Sequence, residues 1–254
     1  MNLDAAFVIG DTHTVCQDYA FSLMIEDRGY LMVSDGCSSS PHTDMGARLF
    51  IHQLITCLTE GKRLSQEVLL DALTRARSLL DQLKLPREAL DCTLLAAECD
   101  AEYVRVFAMG DGVIAIDHRE GALSGIEIIS PNQAPGYLNY WGDDARLSLY
   151  LEHDQGVTYR RLGSDQEEHY VSAFKLLSFT LSSSELRSLV LCSDGVSSLS
   201  GVSVEEVLTH LTRFPVPEGA FVQRRLRKFT RKVCKRYAWT HRDDLALAAV
   251  TFGS

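Results

Sequence analysis

Apolar residues fall in short runs along this chain, and the period within the runs changes from one stretch to the next. Ala5 to Ile9 is an apolar run of strand length. Tyr19 to Ile25 and Tyr30 to Ser34 are two more, and the turn chemistry of Glu26-Asp27-Arg28-Gly29 between them predicts a hairpin. From Asp44 to Leu58 the spacing lengthens to that of a helix, with Met45, Leu49, Ile51, Ile55 and Leu58 as its expected apolar stripe. Ser65 to Leu83 repeats the helical pattern behind Ser65, a natural N-cap. Two amphipathic helices after a hairpin predict one covered sheet face. Strand-like runs return at Cys92 to Glu98, Tyr103 to Met109, Val113 to Asp117 and, more weakly, Ile126 to Ile129; Pro131 to Gly136 reads as a loop. From Tyr137 to about Thr180, short β-like pieces such as Leu147 to Leu151 alternate with polar turns, which predicts a lid or side insertion. Ser203 to Leu211 and Pro217 to Trp239 read as helices, and a last strand begins near Asp244.

Strands, two helices, many strands, two helices and one strand make an α+β order rather than alternating βαβ units. The 254 residues hold no internal repeat and are expected to form one domain spanning 1–254. A net charge of −9 argues against nonspecific nucleic-acid binding by the whole protein. No basic stretch followed by an apolar one opens the chain, and no apolar run approaches the about 18 residues that cross a membrane. Cytoplasmic localisation is the expectation, with neither membrane nor nucleic acid as partner. The seven cysteines include no CxxC pair, and several sit in apolar runs, which reads as reduced thiols rather than a disulfide or zinc framework.

Five aspartate phrases carry the chemistry: Gln17-Asp18, Asp35-Gly36, Gly110-Asp111-Gly112, Ser193-Asp194-Gly195 and Asp243-Asp244. A single Asp-Gly is ordinary turn chemistry. Here most of the phrases begin or end an apolar run, so carboxylates far apart in sequence can converge at strand ends. Converging carboxylates repel one another unless a hard divalent cation lies between them, which points to Mg²⁺ or Mn²⁺ and to phosphoryl-transfer chemistry.

In order along the chain, Gly10 with His13 and Gln17-Asp18, Val33-Ser34-Asp35-Gly36 followed by Met45-Gly46-Ala47, Cys92-Thr93-Leu94, Gly110-Asp111-Gly112, Cys192-Ser193-Asp194-Gly195-Val196 and Arg242-Asp243-Asp244-Leu245 resemble the metal-dependent serine/threonine phosphatases of the protein phosphatase 2C type, bacterial members in particular. The order of the motifs is specific; each motif alone is not. The resemblance implies a four-layer αββα sandwich, two antiparallel sheets flanked by helices, with metals in a cleft at one edge. It implies two Mn²⁺ or Mg²⁺ ions, with a third in some members. Asp35 matches the aspartate bridging the pair, Gly36 the glycine whose carbonyl is a ligand, and Asp194 and Asp243 the aspartates completing one shell. Asp18 matches a position that holds metal-bound water, and Asp111 one that serves the third ion. The implied activity is hydrolysis of phosphoserine or phosphothreonine in proteins by a metal-activated water, with a phosphoprotein, a kinase or its target, as partner.

Several positions depart from the family pattern. Ser38 and Ser39 stand where glycines are common, Gln17 where eukaryotic members are often acidic, and Ala246 where threonine or serine is frequent. His13 replaces an arginine that grips the substrate phosphate; a histidine donates a hydrogen bond but lacks the bidentate fork. His13 is thus a candidate phosphate contact or general acid. His42, in the loop after Asp35, is a weaker candidate. All implied carboxylate ligands are present, which favours an active enzyme over the alternative, a catalytically inactive regulatory or binding module of the same fold. Cys37 lies beside the site without the arginine-closed loop of a cysteine phosphatase. Arg224, Arg225, Arg227, Lys228, Arg231, Lys232, Lys235 and Arg236 make the last helix strongly basic opposite an apolar stripe. A solvated helix face is the plain reading, and docking of an acidic partner the other.

Overall fold

Period-two alternation in β3 (Arg28–Ser34) sends Leu31 and Val33 to one face of a sheet and Tyr30 and Met32 to the other, and all four are buried. A strand buried on both faces lies in a sheet covered on both sides, and the rest of the chain supplies the covers. The coordinates are a computed structural model that describes residues 1–121, 123–130, 134–153, 156–163, 166–170 and 174–253.

Two antiparallel sheets stack face to face. The smaller has the order β10 (Leu177–Ser182), β5 (Tyr103–Met109), β4 (Leu94–Cys99), β3 and β2 (Tyr19–Ile25). The larger runs β1 (Asn2–Val8), β12 (Leu245–Thr251), β11 (Leu186–Cys192), β6 (Gly112–His118), β7 (Leu123–Ile129), β8 (Val157–Arg161) and β9 (Glu167–Tyr170). Leu31, Val33, Leu95 and Ala97 from the smaller sheet meet Ile114, Leu189, Ala248 and Val250 from the larger in the central core. On the outer side, α1 (Thr43–Thr59) and α2 (Gln66–Leu83) cover the smaller sheet. The larger is covered by α4 (Val204–Leu211) and α5 (Phe221–Lys228), which continues through a π turn, Phe229–Val233, into α6 (Cys234–Tyr237). The architecture is the αββα sandwich of an α+β protein. Among the described residues, no helix is long and apolar enough to cross a membrane.

Local signals fixed many boundaries. Ser65 Oγ accepts the Val68 N–H at 3.4 Å, and Ser203 Oγ accepts that of Glu206 at 3.3 Å, so both serines cap the helices that follow them. Four expectations need correction. The hairpin turn is Glu26-Asp27 alone, because Arg28 already pairs with Ile25, and Glu26 takes φ 55° to close the two-residue loop. Met45 is 41% exposed, not part of the buried stripe of α1. That stripe runs through Gly46, Ala47, Phe50, Ile51 and Leu54, because the helix meets the 87–90 turn at Gly46, where a Cβ would lie 1.6 Å from the Ala89 carbonyl oxygen. Leu147 to Leu151 is helical, within α3 (Asp144–His153). Asp143 begins it, its Oδ1 accepting the Arg146 N–H at 3.1 Å, while the alternating leucines stay outside the core. The last helix starts at Phe221 rather than Pro217, because the carboxylate of Asp4, remote in sequence, accepts the Val222 N–H at 2.6 Å and that of Gln223 at 3.1 Å.

Within the expected lid or insertion, 137–180, β8 and β9 extend the larger sheet and β10 edges the smaller one, while the turn Leu138–Tyr140 and α3 lie beside the loop that follows Asp35. Of the loop expected over 131–136, residues 131–133 lie outside the described residues.

Candidate metal centre

Each aspartate phrase sits where a strand starts, ends or crosses between sheets, and the strands bring those ends to one edge of the sandwich. Asp35 follows β3. There the chain leaves its ladder and runs beside residues 91–93: Ser34 Oγ donates to the Thr93 carbonyl at 2.8 Å, Thr93 Oγ1 accepts the Asp35 N–H at 3.1 Å, and Thr93 N–H donates to the Asp35 carbonyl at 2.8 Å. Gly36, buried, forms a single bridge with Cys92. Asp111 lies where the chain passes from β5 in one sheet to β6 in the other. Gly110 at φ +90° and Gly112 at φ +137° make that crossing, in a conformation side chains rarely adopt. Asp194 begins a single 3₁₀ turn after β11, and the residue before it is pinned to the neighbouring strand: Ser193 N–H donates to the Ala246 carbonyl at 3.0 Å, and Ser193 Oγ accepts the Ala246 N–H at 3.0 Å. Asp18 enters β2, and Asp243 and Asp244 enter β12.

Asp35, Asp111 and Asp194 converge: one carboxylate oxygen from each lies within 4.8 Å of the others. Asp18, 1% exposed, lies against Asp35 and Ser193. Asp243 stands at the rim, its side chain 38% exposed, with its Oδ1 accepting the Asp244 N–H at 2.8 Å. Asp35, Gly36, Asp111, Asp194 and Asp243 share a cleft of ≈ 260 Å³ with His13, Gln17, Thr93 and Tyr137. His13 is the one basic side chain among the described residues lining it.

Burial and mutual repulsion raise these carboxyls. Burial, with Asp194 next, pushes Asp111 up to about 8. Burial, with Asp243 next, pushes Asp194 up to about 6. Asp35 rises well above the usual carboxylate range, first through burial and then through Asp18 and Asp194; Asp18 rises chiefly through burial. The donor set suits a hard divalent cation. Among the described residues it consists of oxygens, no lysine or arginine lines the cleft to neutralise it, and Asp18 Oδ2 is buried without a hydrogen-bond partner.

Sequence reasoning placed Asp244 in the Asp243-Asp244 phrase but gave it no role. It is 1% exposed, and its two oxygens accept the N–H groups of Gly10 at 2.8 Å and Gln17 at 2.6 Å. The loop between them is further strapped to residues 241–242 by the Asp11 and Thr12 N–H groups. That loop carries His13, whose Nδ1 lies 3.1 Å from Asp244 Oδ1 and whose Nε2 lies 3.6 Å from Asp243 Oδ1. The only sequence signal was an acid opening a buried strand. The Asp91 network was missed as well. Asp91, 3% exposed, accepts from Ser40 Oγ at 3.1 Å, Asn139 Nδ2 at 2.7 Å and Arg146 Nη2 at 2.6 Å, and so joins the loop after Asp35 to the segment behind Tyr137. His42 is exposed, takes φ 60° before α1 and does not line the cleft. Cys37 lines it, and all seven cysteines, Cys37 among them, are free thiols.

The sequence matches the family profile Protein phosphatase 2C over residues 10–231. No curated protein matches it by sequence. Among solved structures, the serine/threonine phosphatase Stp1 from Staphylococcus aureus aligns over 100% of this chain and 96% of its own at 12% identity, with a TM-score of 0.62. PppA of Pseudomonas aeruginosa, described as a key regulatory component of T6SS, aligns over 98% and 97% at 17% identity, with a TM-score of 0.58. A serine-threonine phosphatase 2C from Toxoplasma gondii aligns over 99% and 94% at 14% identity, with a TM-score of 0.56. These likenesses are of fold, and the family match spans most of the chain: the protein belongs to the protein phosphatase 2C family.

Proposed function

We propose that the protein is a phosphoprotein phosphatase that depends on Mn²⁺ or Mg²⁺ and hydrolyses phosphoserine and phosphothreonine, as one domain acting in the cytoplasm on a phosphorylated kinase or its target. The observation that carries this reading is the convergence of Asp35, Asp111 and Asp194 within 4.8 Å in a cleft. Asp35, Asp194, Asp243 and the Gly36 carbonyl are the groups that would hold the core pair, with Asp18 as support and Asp111 serving a third ion. When bound, such ions lower the pKa of water and offset charge on phosphoryl oxygens.

The chain's own residues do the positioning. Thr93 holds the Asp35 backbone on both its N–H and its carbonyl, which fixes the carboxylate in register with Asp194. His13, strapped across the Asp243-Asp244 corner, would donate a hydrogen bond to a phosphate in the cleft. No cysteine nucleophile is needed. Hydrolysis of 4-nitrophenyl phosphate and of a phosphothreonine peptide with Mn²⁺, with EDTA, and by Asp35→Asn tests the reading. Turnover should require metal and vanish in the variant; full activity in EDTA overturns it.

One observation favours the second reading, an inactive module of the same fold: His13 lies close to two carboxylates instead of standing free in the cleft. Calorimetric metal binding without turnover would establish it.

A further inference from the structure

The sharpest charge imbalance lies on the helical run from Phe221 to Tyr237, none of which lines the metal cleft. Eight Lys and Arg residues fall between Arg224 and Arg236 in a chain of net charge −9. Among the described residues none of the eight is ion-paired; the ion pairs all lie elsewhere. No ion pair among the described residues anchors the helix. Its apolar stripe, Phe221, Val222, Leu226 and Phe229, is buried on the larger sheet, and Asp4 caps its first turn.

At the start of this run the turn 214–216 stands off from the helix and leaves a cleft of ≈ 240 Å³. Phe214, Pro215 and Val216 form one wall, and Arg224, Arg225 and Lys228 the other. Val216 is 61% exposed, an apolar side chain turned to water. Arg224 is held in place, donating to the Val216 carbonyl at 3.0 Å and the Glu218 carbonyl at 2.7 Å. Arg225 is half-buried, and burial disfavours its charge with no carboxylate to offset that cost. An anionic group beside an apolar one satisfies both walls.

We propose that this cleft is a docking site for an acidic segment of a partner protein, with carboxylates pairing to Arg225 and Lys228 and one apolar side chain lying against Phe214 and Val216. The neighbouring cations steer such a segment toward the cleft. The other polyanions fit less well. A nucleic-acid backbone offers no apolar side chain to Phe214 and Val216, and the protein's net negative charge repels it. A lipid surface calls for apolar side chains on the cationic face, and this helix turns Phe221, Leu226 and Phe229 inward.

The inference does not depend on turnover, and equilibrium binding tests it. The probe is a fluorescein-labelled peptide of Asp and Glu residues flanking one leucine, titrated with the full chain and followed by anisotropy. Affinity should fall as salt is raised and drop at least about tenfold in Arg225→Glu/Lys228→Glu, as expected for lost charged contacts. Val216→Asp, at an exposed position, should weaken binding several-fold with every cation intact, and circular dichroism verifies that each variant is folded. Lys235→Glu, outside the cleft, should have the smaller effect. Equal affinity in wild type and the folded Val216→Asp variant, or tighter binding of a single-stranded oligonucleotide or of phosphatidylserine vesicles than of the peptide, overturns the proposal.

Discussion

Asp244 accepts the backbone N–H of Gly10 at 2.8 Å across 234 positions of sequence, and its other oxygen accepts that of Gln17 at 2.6 Å. One buried carboxylate therefore holds both ends of the loop that presents His13, and it does so beside the rim aspartate, Asp243. The geometry of the His13 side of the cleft is set by a residue that itself does not line it.

Removing that carboxylate should be costly. Asp244→Ala leaves two backbone donors without their acceptor, and at about 1–3 kcal/mol for each unmet group a loss of about 2–6 kcal/mol is expected. Asp244→Asn keeps one acceptor oxygen and should lose less. Urea denaturation in EDTA, which excludes any contribution from bound metal, measures both; a loss in Asp244→Ala no larger than in Asp244→Asn would contradict the clasp.

The metal-free protein should lose stability as pH rises. Asp194, at about 6, and Asp111, at about 8, sit above their unfolded value of 3.8. The folded state therefore binds more protons than the unfolded one across that interval. The contribution is fully present below about pH 4 and is lost as pH rises through about 6 and then about 8. In EDTA the melting temperature of wild type should decline from pH 5 to pH 8 more steeply than that of Asp111→Asn. Mn²⁺ at pH 8 should raise it, because the cation takes the place of the protons.

His13 should act on substrate binding more than on fold. His13→Ala removes one donor to phosphate, and a hydrogen bond to a charged group is worth about 1.5–3 kcal/mol, so kcat/KM should fall about tenfold to a hundredfold. His13→Arg restores a forked donor and should recover most of it. Steady-state kinetics on a phosphothreonine peptide tests this, and an unchanged kcat/KM in His13→Ala removes His13 from the site.

Two glycines should resist any side chain. A Cβ on Gly46 would lie 1.6 Å from the Ala89 carbonyl oxygen, and one on Gly195 would lie 1.8 Å from that of Asp244. Both clashes are with backbone, so each alanine variant should cost about 1–3 kcal/mol or more by thermal denaturation. Gly195→Ala should also weaken Mn²⁺ binding, because the shift is transmitted to the adjoining Asp194; Gly46→Ala, where α1 meets the 87–90 turn, should leave metal affinity nearer to wild type.

The strands were legible because period two is local. β12 carries Ala246, Ala248 and Val250 on one face and Leu245, Leu247 and Ala249 on the other; its apolar run marked a strand, and the structure covers that strand on both sides. Ser65 was legible as a cap for the same reason. Leu147 to Leu151 misled because its leucines alternate like a strand's, while Asp143, immediately before α3, decides for a helix through one side-chain acceptor.

What the chain determined on its own was the type of most elements, α3 excepted, and the placing of acids at strand ends, since both are written within a few consecutive residues. Tertiary structure alone decided that Asp35, Asp111 and Asp194 meet while Asp243 stays at the rim, that Asp4 sets the start of the basic helix, and that Asp244 turns inward to clasp the His13 loop. Those outcomes depend on sheet order and on the stacking of one sheet upon the other. Contacts between residues up to 234 positions apart carry no local period from which they could be read.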